Sequence, residues 1–338
     1  MSTRQSDTSA VAQAAIPPAF ERYADESLAQ APAGGPGKNG LLEATFARSG
    51  SGPTRLVRDR VEVPYHLTGA LDTDPAPGLA TLVAQEPTGG VAQGDRHRMR
   101  IDARSGARAR VTTQSATKVH SMDANYAHLD ATLEGASGSY LEYVPGPTIV
   151  NEDARCLQTV SVDLADDAVV VVADVLVPDG LSDHEPFSFD HYHARVEATH
   201  DDRLVCADAV DLRPDERNPR DPASVGDYGV VGSLYVFAPA ASDGIDSGSG
   251  VADIELEALL DAIRDRLEDI DADGLETESE SESGTAVHAG VSTLPYEAGA
   301  IVRLLGYREA DVTAALRAAW DETRQRTLGV GAPTDRRY

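Results

Sequence analysis

Gly89-Gly90-Val91-Ala92-Gln93-Gly94-Asp95, and fifteen residues on Val111-Thr112-Thr113-Gln114-Ser115-Ala116-Thr117-Lys118, set the character of this chain. Consecutive glycines accept positive φ, and Gly94-Asp95 is a turn dipeptide whose carboxylate can bond its own backbone, so the first segment reads as a tight turn. The second, from Arg110 to Lys118, is rich in β-branched and hydroxyl side chains and follows a turn at Ser105-Gly106. It reads as a β-strand. Lys118 is one of two lysines, the other being Lys38, in a chain whose 29 basic residues are otherwise all arginine.

Outward from this stretch the same pattern repeats. Between Leu41 and Phe237 the sequence predicts short strands separated by turns, at 42–47, 61–67, 79–84, 97–103, 109–119, 127–133, 139–144, 159–164, 168–177, 187–199, 203–212 and 229–237. No fixed repeat relates them, and periodicity alone does not choose between a sandwich, a barrel and a solenoid. Near the C-terminus the period changes. Leu256, Leu259, Leu260, Ile263, Leu267 and Ile270 lie on one face of a helix from about Asp253, and Val312, Ala315, Leu316, Ala319 and Trp320 stripe a second over 309–327. The predicted fold is a mainly β single domain over 39–338 with two C-terminal helices, preceded by an Ala-, Ser-, Pro- and Gly-rich mobile tail over 1–38. The acidic run 271–284, DADGLETESESESG, is expected to be a disordered loop.

The net charge of −27 in 338 residues opposes binding to nucleic acid or to an anionic membrane surface. Acidic residues spread along the chain, with arginine preferred to lysine, suit a high-salt cytoplasm. Residues 1–30 lack the apolar core of a signal peptide, and the longest apolar run, 168–177, is broken by Asp174 and too short to span a bilayer. Cys156 and Cys206 are expected to be buried thiols in a reducing compartment.

Two strand carboxylates sit where alternation demands apolar residues. Asp208 shares a face with Leu204, Cys206, Val210 and Leu212, and Asp174 shares one with Val170, Val172 and Leu176. A lone buried carboxylate costs several kcal/mol unless it is paired, protonated or hydrated. Each is therefore half of a buried ion pair with an arginine, on a strand face that is in fact wet, or part of the lining of a polar passage. His191 and His193 place two imidazoles on one strand face at a spacing able to grip Ni²⁺ or Zn²⁺. With no third ligand evident and Asp190 facing away, they are read as a surface pair.

Taken in order, Gly40-Leu41-Leu42 with Thr54, Gly89-Gly90 to Gly94-Asp95, Thr112 to Val119, Leu141-Glu142-Tyr143-Val144-Pro145-Gly146-Pro147-Thr148-Ile149, and Val302-Arg303-Leu304-Leu305-Gly306 with Trp320, Arg324 and Gly329 resemble the urease accessory protein UreD (UreH) family. The resemblance spans roughly residues 39 to 338 and implies a solenoid-like β body and a cytoplasmic, non-catalytic scaffold. Its implied partners are apo-urease, UreF and the GTPase UreG, and nickel is its transient cargo rather than a resident cofactor. It also implies that Asp95, Thr117, Lys118, Asp174 and Asp208 match the positions of an internal nickel channel. The chain has no G-x-x-x-x-G-K-[ST] loop, so nucleotide hydrolysis lies elsewhere. The rival from another class is a hydrolase using a Thr or Ser of the 112–117 segment as nucleophile, with His97 or His120 as base. No elbow motif supports it.

Overall fold

The computed structural model describes residues 15–27, 37–178, 185–239, 255–274 (side chains to 270) and 287–334. In chain order the elements are α1 (Pro18–Ala24), β1 (Asn39–Arg48), β2 (Thr54–Glu62), β3 (Ala70–Leu71), β4 (Ala80–Ala84), β5 (Arg96–Ala103), β6 (Arg108–Thr113), β7 (Thr117–Val119), β8 (Ala127–Gly135), β9 (Tyr140–Tyr143), β10 (Thr148–Val150), β11 (Arg155–Leu164), β12 (Val169–Pro178), β13 (His191–His200), β14 (Arg203–Leu212), β15 (Val230–Phe237), α2 (Leu256–Gly274), β16 (Val287–Thr293), β17 (Gly299–Gly306) and α3 (Glu309–Leu328).

The chain winds between two sheets. One holds seven strands in the order β14-β13-β11-β8-β5-β1-β2, parallel from β13 to β1 and closed at each edge by an antiparallel strand. The other runs β16-β17-β15-β12-β9-β6-β4-β3, with β4, β6, β9 and β12 parallel. From β4 to β13 the chain passes back and forth between the two sheets, the short β7 and β10 belonging to the second, which makes the body solenoid-like, as the family resemblance implied. Helices α2 and α3 cover the outer face of the second sheet, where Val171, Ala173, Leu234 and Val302 meet Leu259, Ile263, Val312 and Trp320. Close approach fixes Gly232, because a Cβ there would lie 2.7 Å from Val312 Cγ1.

Strands with both faces covered read as continuous apolar runs, and β12 (VVVVADVLVP) is one. Its inward residues Val170 and Val172 join one apolar cluster between the sheets, and Leu176 joins another. Asp174 lies between the two. The second sheet is split at the same place. Residues 169–172 of β12 pair with β9, residues 176–178 pair with β10, and on that edge 173–175 have no strand neighbour.

Several expectations are corrected by the structure. The strand foreseen over 109–119 is two strands, because Gln114-Ser115-Ala116 turns out to meet Gly146, whose N–H donates to Thr113 Oγ1 at 2.8 Å. A Cβ on Gly146 would sit 2.8 Å from Ser115 O, so only glycine allows this approach. The strand foreseen over 61–67 is instead β2, ending at Glu62 before Pro64, and β16 and β17 were not foreseen. Leu204 leaves the inward face, its neighbour Val205 being buried instead, because a bulge between Ala198 and Thr199 shifts the register of β13 on β14.

Part of the segment expected to be a mobile tail is ordered. Helix α1 starts at a proline, which loses nothing at a helix N-terminus, and buries Phe20 completely against Tyr126 and Leu157. Glu26 anchors its end by accepting from Arg155 Nη1 (2.6 Å) and the Asn125 N–H (2.9 Å). Residues 271–274 of the expected acidic loop are helical and close α2, whereas 275–284 lie outside the described residues.

Candidate functional site

A cavity of about 390 Å³ lies between the sheets at the split. At one end its wall is formed by Glu86, Gly89, Gly90, Ser115, Thr117 and Lys118. At the other it is formed by Arg195, Val210, Ser233, Tyr235 and Arg303. Asp174 lies in the wall between these ends.

The strand registers explain how polar groups gather here. Asp174 on β12 pairs with Ser233 on β15, and Ser233 pairs with Arg303 on β17, so the three stand in one row across the second sheet. From the facing sheet Gln158 Nε2 donates to Asp174 Oδ1 at 3.2 Å, and Tyr192 OH donates to Oδ2 at 3.2 Å. Burial raises the Asp174 carboxyl above the usual carboxylate range. The Gln158 and Tyr192 donors, the Arg303 charge and the Val175 N–H oppose that shift in part. Asp174 is only half-buried, because it faces the cavity. It has no direct salt-bridge partner among the described residues, whereas Asp208 does. Asp208 Oδ2 accepts from Arg303 Nη2 and from Tyr235 OH (2.8 Å), which joins the two sheets.

The five sequence-predicted residues are therefore only partly brought together. Asp174, Thr117 and Lys118 line the cavity. Asp208 stands behind its wall as the ion-pair partner of Arg303. Asp95, foreseen in the passage, is instead a fully buried clasp outside the wall. Its Oδ1 accepts from the N–H groups of Gly37 (2.9 Å) and Lys38 (2.7 Å), its Oδ2 accepts from the Ala92 N–H (2.9 Å), and Lys38 Nζ lies 3.2 Å from Oδ2. Lys38, the second lysine, thus neutralises Asp95. Gly90 is required by packing and conformation together, since its φ is 125° and a Cβ would lie 2.3 Å from Lys118 O.

Gln158, Tyr192, Ser233, Tyr235 and Arg303 were missed as site residues. Gln158 carried a legible signal, an amide on the β11 face otherwise formed by Cys156, Val160 and Val162. The others become polar neighbours only through pairing between distant strands. A second missed group is buried beyond the cavity. Arg324, fully buried, donates from Nη1 to Glu142 Oε1 and Oε2 (3.0 and 2.8 Å) and from Nη2 to Asp74, while Trp320 Nε1 and Tyr140 OH also reach Glu142 (2.8 and 2.6 Å). Desolvation disfavours the Arg324 charge, but the carboxylates of Glu142 and Asp74 outweigh it and raise its pKa. Three residues quoted for the family resemblance, Glu142, Trp320 and Arg324, therefore form a structural lock between the second sheet and α3.

In the 112–117 segment the Thr113 and Ser115 hydroxyls are turned to backbone carbonyls rather than to a histidine. Thr113 Oγ1 donates to Ser115 O at 2.8 Å, Ser115 Oγ points to Ala116 O, and His120 Nε2 contacts Gly89 O at 3.1 Å. The free thiols Cys156 and Cys206 are both buried. No helix among the described residues is long and apolar enough to cross a membrane.

Fold and cavity together define a solenoid-like β scaffold with a polar interior and no catalytic constellation among the described residues. Residues 38–337 match the model of the family described as UreD urease accessory protein. The chain is 64% identical to the urease accessory protein UreD of Natronomonas pharaonis, over 96% of this chain and 99% of that protein. It is 52% identical to the UreD of Haloquadratum walsbyi, over 94% and 95% of the two chains, and 43% identical to that of Haloarcula marismortui, over 95% and 98%. The chain belongs to the UreD urease accessory protein family, whose members are accessory proteins and not enzymes.

Proposed function

We propose that this protein is a cytoplasmic scaffold for nickel insertion into apo-urease. It binds the apoenzyme and UreF, receives nickel through the GTPase UreG, and passes the ion through the cavity between its sheets. The observation that carries this reading is Asp174, a carboxylate held by two neutral donors, without a salt-bridge partner among the described residues, in the wall of a cavity framed by apolar clusters. A site for permanent capture would surround the ion with several strong ligands. One carboxylate with hydroxyl and amide neighbours suits weak, transient contact with a hard or borderline cation. Thr117 and Lys118 form one end of the path. At the other, the Arg303–Asp208 pair is about one third exposed and can open without stranding either charge in an apolar core. Nickel is cargo here, and no resident cofactor is assigned.

Deletion of the gene tests the reading. Urease subunits should accumulate but contain little nickel and show little activity at limiting nickel. A deletion strain with nickel-replete urease would refute the proposal.

A further inference from the structure

The outer face of the seven-stranded sheet, away from the cavity, carries a separate cluster of donor atoms. β13 and β14 pair antiparallel with His193 opposite Asp211, and the strand period of two puts His191 on the same face. His191 Nε2 lies 2.8 Å and His193 Nδ1 3.5 Å from Asp211 Oδ1, and the three donor atoms lie within 4.8 Å of one another. The sequence left this pair without a third ligand and on the surface. The structure supplies Asp211 and buries His191 completely beneath α1, with the Phe20 ring 4.3 Å from the imidazole centroid to centroid.

The hydrogen bonding of these imidazoles is incomplete. Among the described residues neither ring nitrogen of His193, nor Nδ1 of His191, has a hydrogen-bond partner, although all three are buried. At His191 Nε2 the neighbours conflict, because Arg213 Nε approaches as a donor at 3.2 Å while Asp211 Oδ1 approaches as an acceptor at 2.8 Å. Presented as a lone pair, that nitrogen repels the carboxylate. Presented as N–H, it repels the guanidinium. A cation coordinated between the nitrogen and the carboxylate resolves the conflict. The surrounding charge also favours one, since Asp211, Glu216, Asp190 and Glu26 outnumber Arg213 and Arg155, to which they are paired, by two.

We propose that His191, His193 and Asp211 form a binding site for a borderline divalent transition metal, Ni²⁺ or Zn²⁺, in the groove between α1 and strands β13 and β14. Two imidazoles and one carboxylate are a donor set suited to these ions. Metal–ligand bonds of about 2.1 Å place neighbouring ligand atoms about 3.0–3.5 Å apart, so the two distances to Asp211 need change by only a few tenths of an ångström. Arg213 gives up its contact with His191 and keeps its 2.9 Å bond from Nη2 to Asp211 Oδ2, which orients the ligating carboxylate from behind. Asp211 is partly exposed and leaves the remaining coordination positions open to solvent.

The test uses the full-length protein, stripped with chelator and kept in molar potassium chloride at neutral pH. NiCl₂ or ZnCl₂ alone is titrated calorimetrically, and CoCl₂ serves as a spectroscopic probe. The wild-type chain should bind one equivalent and give cobalt d–d bands of a nitrogen-ligated site. His193→Gln and Asp211→Asn should each weaken binding at least tenfold and abolish those bands, whereas His66→Gln, at an exposed histidine elsewhere, should change neither. Circular dichroism confirms that the variants are folded; His193 and Asp211 are the primary variants because His191 packs in the core. A wild-type chain that binds no equivalent would overturn the proposal, as would folded His193→Gln and Asp211→Asn proteins that bind as tightly as wild type. Urease activation is read separately, so a missing site here leaves the cavity proposal standing, and the converse also holds.

Discussion

Replacing Asp174 by leucine separates a carboxylate that serves passage from one that serves stability. The new side chain extends the apolar face of Val170, Val172 and Leu176, and burial of a leucine contributes about 1.5–3 kcal/mol. Against this, Gln158 Nε2 and Tyr192 OH lose an acceptor, at about 1–3 kcal/mol for each donor left unpaired. Gln158 stands beside the cavity, and Tyr192 OH keeps an acceptor in Gln158 Oε1 at 3.3 Å, so the lower end of that range applies. No cation is stranded, because Arg303 keeps Asp208. The net change should stay within about 2 kcal/mol, compared with about 3–5 kcal/mol for breaking a buried ion pair. The measurements are urea unfolding in high salt, pull-down of the accessory complex, and nickel content with activity of urease matured in its presence. A variant that unfolds near the wild-type midpoint, retains its partners and yields nickel-poor urease fits the reasoning. Normal maturation with Asp174→Leu would refute the role in passage, and a loss above 3 kcal/mol would refute the energetic argument.

Arg324→Met should destabilise by about 3–5 kcal/mol, since it leaves Glu142 and Asp74 buried without their guanidinium; chemical denaturation checks this, and a loss under 1 kcal/mol would be inconsistent with the lock. Burial lowers the His97 pKa to about 4, and that of His128 likewise, so the unfolded chain takes up protons between about pH 6.5 and 4 that the folded chain refuses. Their stability contribution is complete above about pH 6.5 and is lost as the pH falls towards 4, at up to about 1.4 kcal/mol per pH unit for each. His97→Leu should flatten the acid limb of a stability–pH profile by about half, and an unchanged limb would contradict the assignment. Phe20→Ala, or removal of residues 1–27, should release α1 and raise amide exchange at Tyr126 and His191 while the sheets keep their protection. Unchanged exchange there would mean that α1 does not cover this face.

The sequence by itself determined the β class, the two C-terminal helices and the inward position of Asp174, because these follow from local period. A side chain at every second position faces the core in a strand, and at every third or fourth in a helix. It also determined the family, through short motifs in fixed order, without saying what each motif does. Glu142, Trp320 and Arg324 are 182 residues apart from first to last in the chain and meet in one buried lock, and Asp95, which only the family resemblance placed in the passage, instead holds Lys38 and the turn at Ala92. Only the tertiary structure decided which acid is paired and which faces the cavity. Asp174 and Asp208 look alike on their own strands, and the difference arises from the registers that bring Arg303 to one and leave the split between β9 and β10 beside the other. The same reason hid Asp211 from His191 and His193. Cross-strand neighbours are set by pairing and bulges between distant segments, which local sequence patterns do not encode.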